Sequence, residues 1–148
     1  MLELTKTIEW DMGHRIPNHL GKCKFPHGHR YRLEVTIRGQ VSTLKNTSSE
    51  GMIYDLSNFK HLLCQKIQDS LDHRFMIYKD DKLLKDLFSD PLKKELNLLF
   101  VPFIPTAENI VFWCYQQIKD AFNTTITISR CRLFESPNSF VDFIPDYE

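Results

Sequence analysis

From Tyr31 to Gly39 the chain reads Tyr-Arg-Leu-Glu-Val-Thr-Ile-Arg-Gly, a strict alternation that puts Tyr31, Leu33, Val35 and Ile37 on one face of a strand. A strand apolar on one side only needs a sheet to sit in and something apolar to cover it. Leu2 to Asp11 alternates as well, and the two runs pair as an antiparallel ribbon. Between them stands Cys23-Lys24-Phe25-Pro26-His27-Gly28-His29, with His14 near the end of the first run, so three of the six histidines meet at one end of the ribbon. His27 and His29, two residues apart on a strand, share a face, and a third imidazole from the neighbouring strand closes one side of a tetrahedral metal site. Neutral imidazole suits zinc, and no carboxylate cluster points toward calcium or magnesium. The fourth position is open to two readings: Cys23 fills it in a closed structural site, or water or substrate fills it in a catalytic one.

Beyond the ribbon, Val41 to Glu50 reads as a polar surface loop. Phe59, Leu62, Leu63, Ile67 and Leu71 then recur at helical spacing, with Asp55 or Ser57 as N-cap and an end near Leu71-Asp72-His73. Charge-rich residues 79–99 suggest one or two short helices interrupted at Ser89-Asp90-Pro91, and Leu98 to Phe103 a short buried strand. Pro105-Thr106-Ala107-Glu108 opens a second long helix with Ile110, Phe112, Trp113, Ile118 and Phe122 on its apolar face. Thr125 to Phe134 and Ser139 to Ile144 are strands joined across Ser136-Pro137-Asn138. The order is ββ-α-α-ββ: an α+β domain over residues 1–148, an antiparallel four-stranded sheet with helices on one face.

With 148 residues, the chain buries a core without needing a metal for stability. Nineteen basic residues balance nineteen acidic ones, with no basic stripe to bind nucleic acid, so the expected partner is a small molecule. Neither a signal-peptide pattern nor a membrane-length apolar run appears, which points to a cytoplasmic protein with its four cysteines reduced. Cys64, Cys114 and Cys131 sit in apolar contexts as small core residues; Cys23 lies between Lys22 and Lys24.

Each remaining polar candidate has a bland reading. Asp72-His73 after a helix is a histidine on the helix dipole, or a carboxylate holding an imidazole for proton relay. Glu135 is a solvated strand end, or a carboxylate accepting two parallel hydrogen bonds from a heterocycle edge. Thr106 and Glu108 are helix-start residues by default. Arg15, Lys22, Lys24 and Arg30 are surface charges by default and anion ligands otherwise.

Taken in order, His14-Arg15, Cys23-x-x-x-His27-Gly28-His29, Asp55, Leu71-Asp72-His73, Pro105-Thr106-Ala107-Glu108-Asn109 and Glu135-Ser136-Pro137-Asn138 resemble the 6-pyruvoyl-tetrahydropterin synthase superfamily over nearly the whole chain. The three-residue spacer between Cys23 and His27 resembles its 6-carboxytetrahydropterin synthase branch, which serves queuosine (7-deazapurine) biosynthesis. The resemblance implies a tunnelling fold, trimers stacked into hexamers, and active sites between subunits. It implies zinc on His14, His27 and His29, Cys23 as general base, His73 with Asp72 as proton relay, Glu135 as pterin anchor, and Thr106 and Glu108 beside the substrate. The implied reaction is conversion of 7,8-dihydroneopterin triphosphate to 6-carboxytetrahydropterin, acetaldehyde and triphosphate. Alternatives are the 6-pyruvoyl product and a non-catalytic zinc module. The chain departs from the superfamily in Trp10-Asp11-Met12-Gly13-His14, where Phe-x-Ala-Ala-His is frequent, and in a longer segment over 79–103.

Overall fold

The computed structural model describes residues 1–88, 91 and 94–146. β1 (Leu2–His14) and β2 (His27–Gly39) pair antiparallel in unbroken register from Leu2 opposite Gly39 to His14 opposite His27. β5 (Thr127–Ser136) adds antiparallel to β2, and β6 (Ser139–Phe143) to β5. The sheet is larger than the four strands expected. β3 (Arg74–Tyr78) lies parallel to the end of β1 and β4 (Leu98–Val101) parallel to β3, giving six strands in the order β4-β3-β1-β2-β5-β6. The difference has a local origin: His73 takes a left-handed turn (φ 59°), and the chain leaves the helix directly into a strand beside β1. Where one or two short helices are expected over 79–99, the described residues include a 3-10 turn at Lys85–Phe88; Ser89 and Asp90 of the expected interruption lie outside the described residues.

Two helical segments cover the alternating face. α1 (Leu56–Leu63) starts where the Asp55 carboxylate accepts from the Ser57 and Asn58 amides, and runs through a π-turn at Cys64–Gln68 into α2 (Asp69–Leu71). α3 (Ala107–Ile118) is capped by the Thr106 hydroxyl, which accepts from the Asn109 amide. Phe59, Leu63, Ile67 and Leu71 from the first segment and Ile110, Cys114 and Ile118 from the second pack onto Ile8, Trp10, Tyr31, Leu33, Val35 and Ile37 of the ribbon. Burying one such large side chain contributes about 1.5–3 kcal/mol. Among the described residues no helix is long and apolar enough to cross a membrane.

The ribbon end is shaped by two glycines opposite each other, Gly13 and Gly28. A Cβ on Gly13 would stand 2.6 Å from the Phe75 ring, and one on Gly28 would stand 3.2 Å from the Met12 carbonyl oxygen. The Gly13 departure from the superfamily pattern thus makes room for Phe75 on the face away from the helices.

Candidate metal centre and active site

His14 and His27 are cross-strand partners, and His29 lies two residues along β2 on the same face. The ring nitrogens of the three gather within 4.8 Å of one another. His14 is 1 % exposed, and its Nδ1 is 2.7 Å from the Pro105 carbonyl oxygen; the Nδ1 of His27 is 2.7 Å from the Phe25 carbonyl oxygen. A carbonyl only accepts, so each Nδ1 carries the hydrogen and each Nε2 of the neutral ring presents a lone pair. The Nε2 atoms of His14 and His27 nevertheless stand 3.2 Å apart, and the buried Nε2 of His29 has no hydrogen-bond partner. Lone pairs converging at that distance repel unless a cation lies between them. Tetrahedral zinc with bonds of about 2.1 Å puts its nitrogen ligands roughly 3.4 Å apart, so the three rings fit this ion.

Electrostatics agrees with the geometry. Burial drives the His14 pKa down to about 4, outweighing the Pro105 hydrogen bond, with His27 and His29 adding to the fall. Burial likewise lowers His29, against the opposing pull of Glu135. Neutral rings at neutral pH are what a metal requires of its ligands. The buried Tyr31 hydroxyl lies 3.4 Å from both His14 nitrogens, and burial first, then Glu135 and Cys23, raise its pKa and keep it protonated.

A cleft of about 310 Å³ opens beside the rings, lined by His14, Cys23, Thr106, Glu108, Glu135 and Phe140 among others. Cys23 sits on the 3-10 turn Lys22–Lys24 and is not among the side chains gathered at ligand distance with His14, His27 and His29. Glu135 reaches the metal end, with Oε1 3.8 Å from His29 Nε2. Thr106 and Glu108 form another part of the wall at the start of α3.

Asp72 and His73 are elsewhere. Asp11 is three residues before His14 and therefore faces the other side of β1, where its amide donates to Asp72 Oδ1 at 3.0 Å. Asp72 Oδ2 is 2.9 Å from His73 Nδ1, and the Asp11 hydrogen bond chiefly holds its carboxyl below the usual range. His73 is 76 % exposed and lines a separate depression with Asp11, Gly28, Arg30 and Arg74. One chain does not bring His73 to the Cys23 cleft. Two of the cations considered for anion binding are also committed: Arg30 pairs with Asp11 at 2.7 Å on this far face, and Arg15 with Asp81 at 2.6 Å.

The family model described as 6-pyruvoyl tetrahydropterin synthase matches residues 3–145. The chain belongs to the 6-pyruvoyl tetrahydropterin synthase family. Members of this family from Rickettsia bellii and Haemophilus influenzae, both named 6-carboxy-5,6,7,8-tetrahydropterin synthase, are each 33% identical over 144 residues; the matches cover 96% and 97% of this chain and 99% of either relative. The fold recurs in an uncharacterized protein from Wolinella succinogenes (TM-score 0.79, 21% identity, 98% of each chain covered). It recurs also in 6-pyruvoyl tetrahydropterin synthase from Caenorhabditis elegans (TM-score 0.69, 21% identity, 98% of this chain and 96% of that one). The α+β tunnelling fold expected from the sequence is therefore the fold of this family member, and the chain is a lyase of the pterin synthase type.

The orienting carbonyls of Pro105 and Phe25 and the Tyr31 hydroxyl escaped the sequence reading. A backbone carbonyl leaves no mark in a sequence, and Tyr31 read as one more member of the apolar face.

Proposed function

We propose that this family member converts 7,8-dihydroneopterin triphosphate and one water to 6-carboxytetrahydropterin, acetaldehyde and triphosphate, as a zinc enzyme of cytoplasmic 7-deazapurine biosynthesis. The observation that carries the reading is the set of three imidazoles converging at ligand distance, the His29 Nε2 without a hydrogen-bond partner, at the head of a cleft that also holds Cys23 and two carboxylates. The full-length relatives named for the carboxy product favour that branch over the pyruvoyl one.

His14, His27 and His29 hold the zinc, which when bound supplies Lewis acidity to the hydroxyls of the substrate side chain. Cys23 takes the carbon-bound proton. Its position inside the cleft but outside the ligating group supports the role of base over that of fourth ligand. The carboxylates divide by position. An edge-reading carboxylate has to stand a whole heterocycle away from the reacting side chain, and Glu135 lies at the metal end. Glu108, beside Thr106 in the same cleft, is a second carboxylate for the 2-amino-4-oxo edge, which would leave Glu135 to hold a proton near His29; the sequence resemblance gives the edge to Glu135 instead. Glu108→Gln raising KM while Glu135→Gln lowers kcat supports the division, and the reverse pattern returns the anchor to Glu135. Lys22 and Lys24, next to Cys23, are the cations left for the triphosphate.

The exposed Asp72-His73 pair, facing away from its own cleft, supports a homo-oligomer in which His73 of one copy serves the cleft of another. Mixing Cys23→Ala chains with His73→Ala chains tests this: dissociation and reassembly restore activity if the residues act across copies and leave it absent if they do not. Incubation with dihydroneopterin triphosphate and mass analysis of the product tests the reaction itself. Acetaldehyde and the carboxy product support it; the pyruvoyl product refutes the branch.

A further inference from the structure

The turn that carries Cys23 has little of its own to hold it. None of Lys22, Cys23 and Lys24 is buried, and Leu20 and Phe25 on either side are 100 % and 58 % exposed. The turn buries none of its own side chains, so hydrogen bonds to its backbone bear on where the thiol stands. Two of them come from the residues just after His14. The Ile16 amide donates to the Cys23 carbonyl at 2.8 Å, and Arg15 Nη1 donates to the Lys24 carbonyl at 2.8 Å.

Arg15 can do this because the rest of its guanidinium is pinned. Its Nε and Nη2 donate to the two carboxylate oxygens of Asp81 at 2.6 and 3.0 Å, a two-pronged pairing that fixes the plane of the fork. Asp81 is itself 1 % exposed, and its Oδ1 also accepts from the Leu83 amide at 2.9 Å and the Leu84 amide at 3.3 Å. Burial works to raise its pKa, but the Arg15 and Leu83 hydrogen bonds prevail and keep it ionised. A half-buried, charged pair spanning 66 residues is costly to desolvate and is a weak source of stability, but its two-pronged geometry constrains where the guanidinium sits.

We propose that Asp81 is a positioning residue for Cys23, acting through Arg15. The chain Asp81 carboxylate, Arg15 guanidinium, Lys24 carbonyl sets the Cys23 turn against the His14 end of β1. It gives the segment after β3 a part in the reaction that needs no contact with substrate. The proposal rests on the reading of Cys23 as the base, and the test separates the two.

The zinc-loaded full chain is compared with Asp81→Asn, which keeps the shape and drops the charge, and with Arg15→Lys, which keeps a charge but cannot span Asp81 and the Lys24 carbonyl together. The expected result is a fall in kcat of about tenfold to a hundredfold, the scale of a displaced reacting group. KM is expected to stay within about threefold, with zinc content unchanged. Iodoacetamide labelling of Cys23, read by peptide mapping against Cys64 in the same chain, changes in rate by at least about threefold. The double variant loses no more than the worse single one, because both break one connection. Unchanged kcat and labelling in Arg15→Lys, or losses that multiply in the double variant, overturn the proposal. Loss of zinc alongside kcat also overturns it, since the effect would then run through His14. Cys23→Ala in the same assay is the control: retained turnover there refutes the base, while the labelling rates still report whether Asp81 places the turn.

Discussion

The two faces of one strand pair, at the same end of the ribbon, carry two kinds of polar cluster. On the inner face His14 and His27 are oriented by backbone carbonyls of their own chain and converge with His29, whose buried Nε2 has no hydrogen-bond partner. On the outer face Asp11, Arg30, Asp72 and His73 satisfy one another and stand open to solvent. The first is a group of rings at metal-ligand distance; the second is a paired carboxylate and imidazole on an open surface. A buried set of lone pairs asks for a cation, whereas an exposed, internally paired set asks for a surface.

Removing an inner-face ring is the strongest way to break the contrast. His29→Ala is expected to lose its zinc on dialysis and its turnover with it, checked by metal analysis; a variant that stays loaded would refute the three-ring site. On the outer face His73→Ala should leave zinc content alone and lower kcat by about a hundredfold to ten-thousandfold, the range for a lost proton-transfer group. Zinc loss in His73→Ala would mean the faces are not independent.

Acid sharpens the comparison through its windows. His14 binds its proton at about pH 4 when folded and near 6.5 when unfolded, so the unfolded chain holds more protons between those values. Stability of the metal-free protein therefore falls as pH drops from 6.5 to about 4, by roughly 3 kcal/mol at 1.36 kcal/mol per pH unit. Asp72 is also lowered, from 3.8, so its contribution holds above that value and is lost only in stronger acid. Urea midpoints at pH 7, 5 and 4 read the inner face, and a profile flat across that range would contradict its burial. The smallest effect belongs to packing. Gly13→Ala pushes a methyl into Phe75 and costs about 1–3 kcal/mol, relieved in Gly13→Ala/Phe75→Leu.

Much of the inner face was legible from residues alone. The alternation of Tyr31 to Ile37 fixed the pairing partner and the buried side, and with them the approach of His14 to His27; Asp55 and Thr106 announced their helices as N-caps. The separation of Asp11 from His14 by three residues already implied opposite faces, though nothing local says which face holds the cleft. β3 and β4 were harder. Parallel neighbours are joined through distant chain, and Arg-Phe-Met-Ile-Tyr has no alternation to declare a buried side. The Asp81 to Arg15 pairing spans the whole first half of the fold, and no spacing rule reaches that far.

The π-turn at Cys64–Gln68 answers a question of counting. Phe59, Leu63, Ile67 and Leu71 are all buried, and each is four residues after the last. An unbroken α-helix turns about 100° per residue, so three steps of four carry the stripe about 120° around the axis and out of the core. One residue absorbed in the wide turn cancels most of that drift, bringing Leu71 under the sheet, Gln68 Nε2 to the Glu9 carbonyl at 2.6 Å and Asp72 to the Asp11 amide. Length here is therefore as informative as identity. A single deletion among these five positions would leave a regular α-helix with Leu71 still under the sheet, whereas an unbroken α-helix of the present length would turn it about a third of a revolution out of the core.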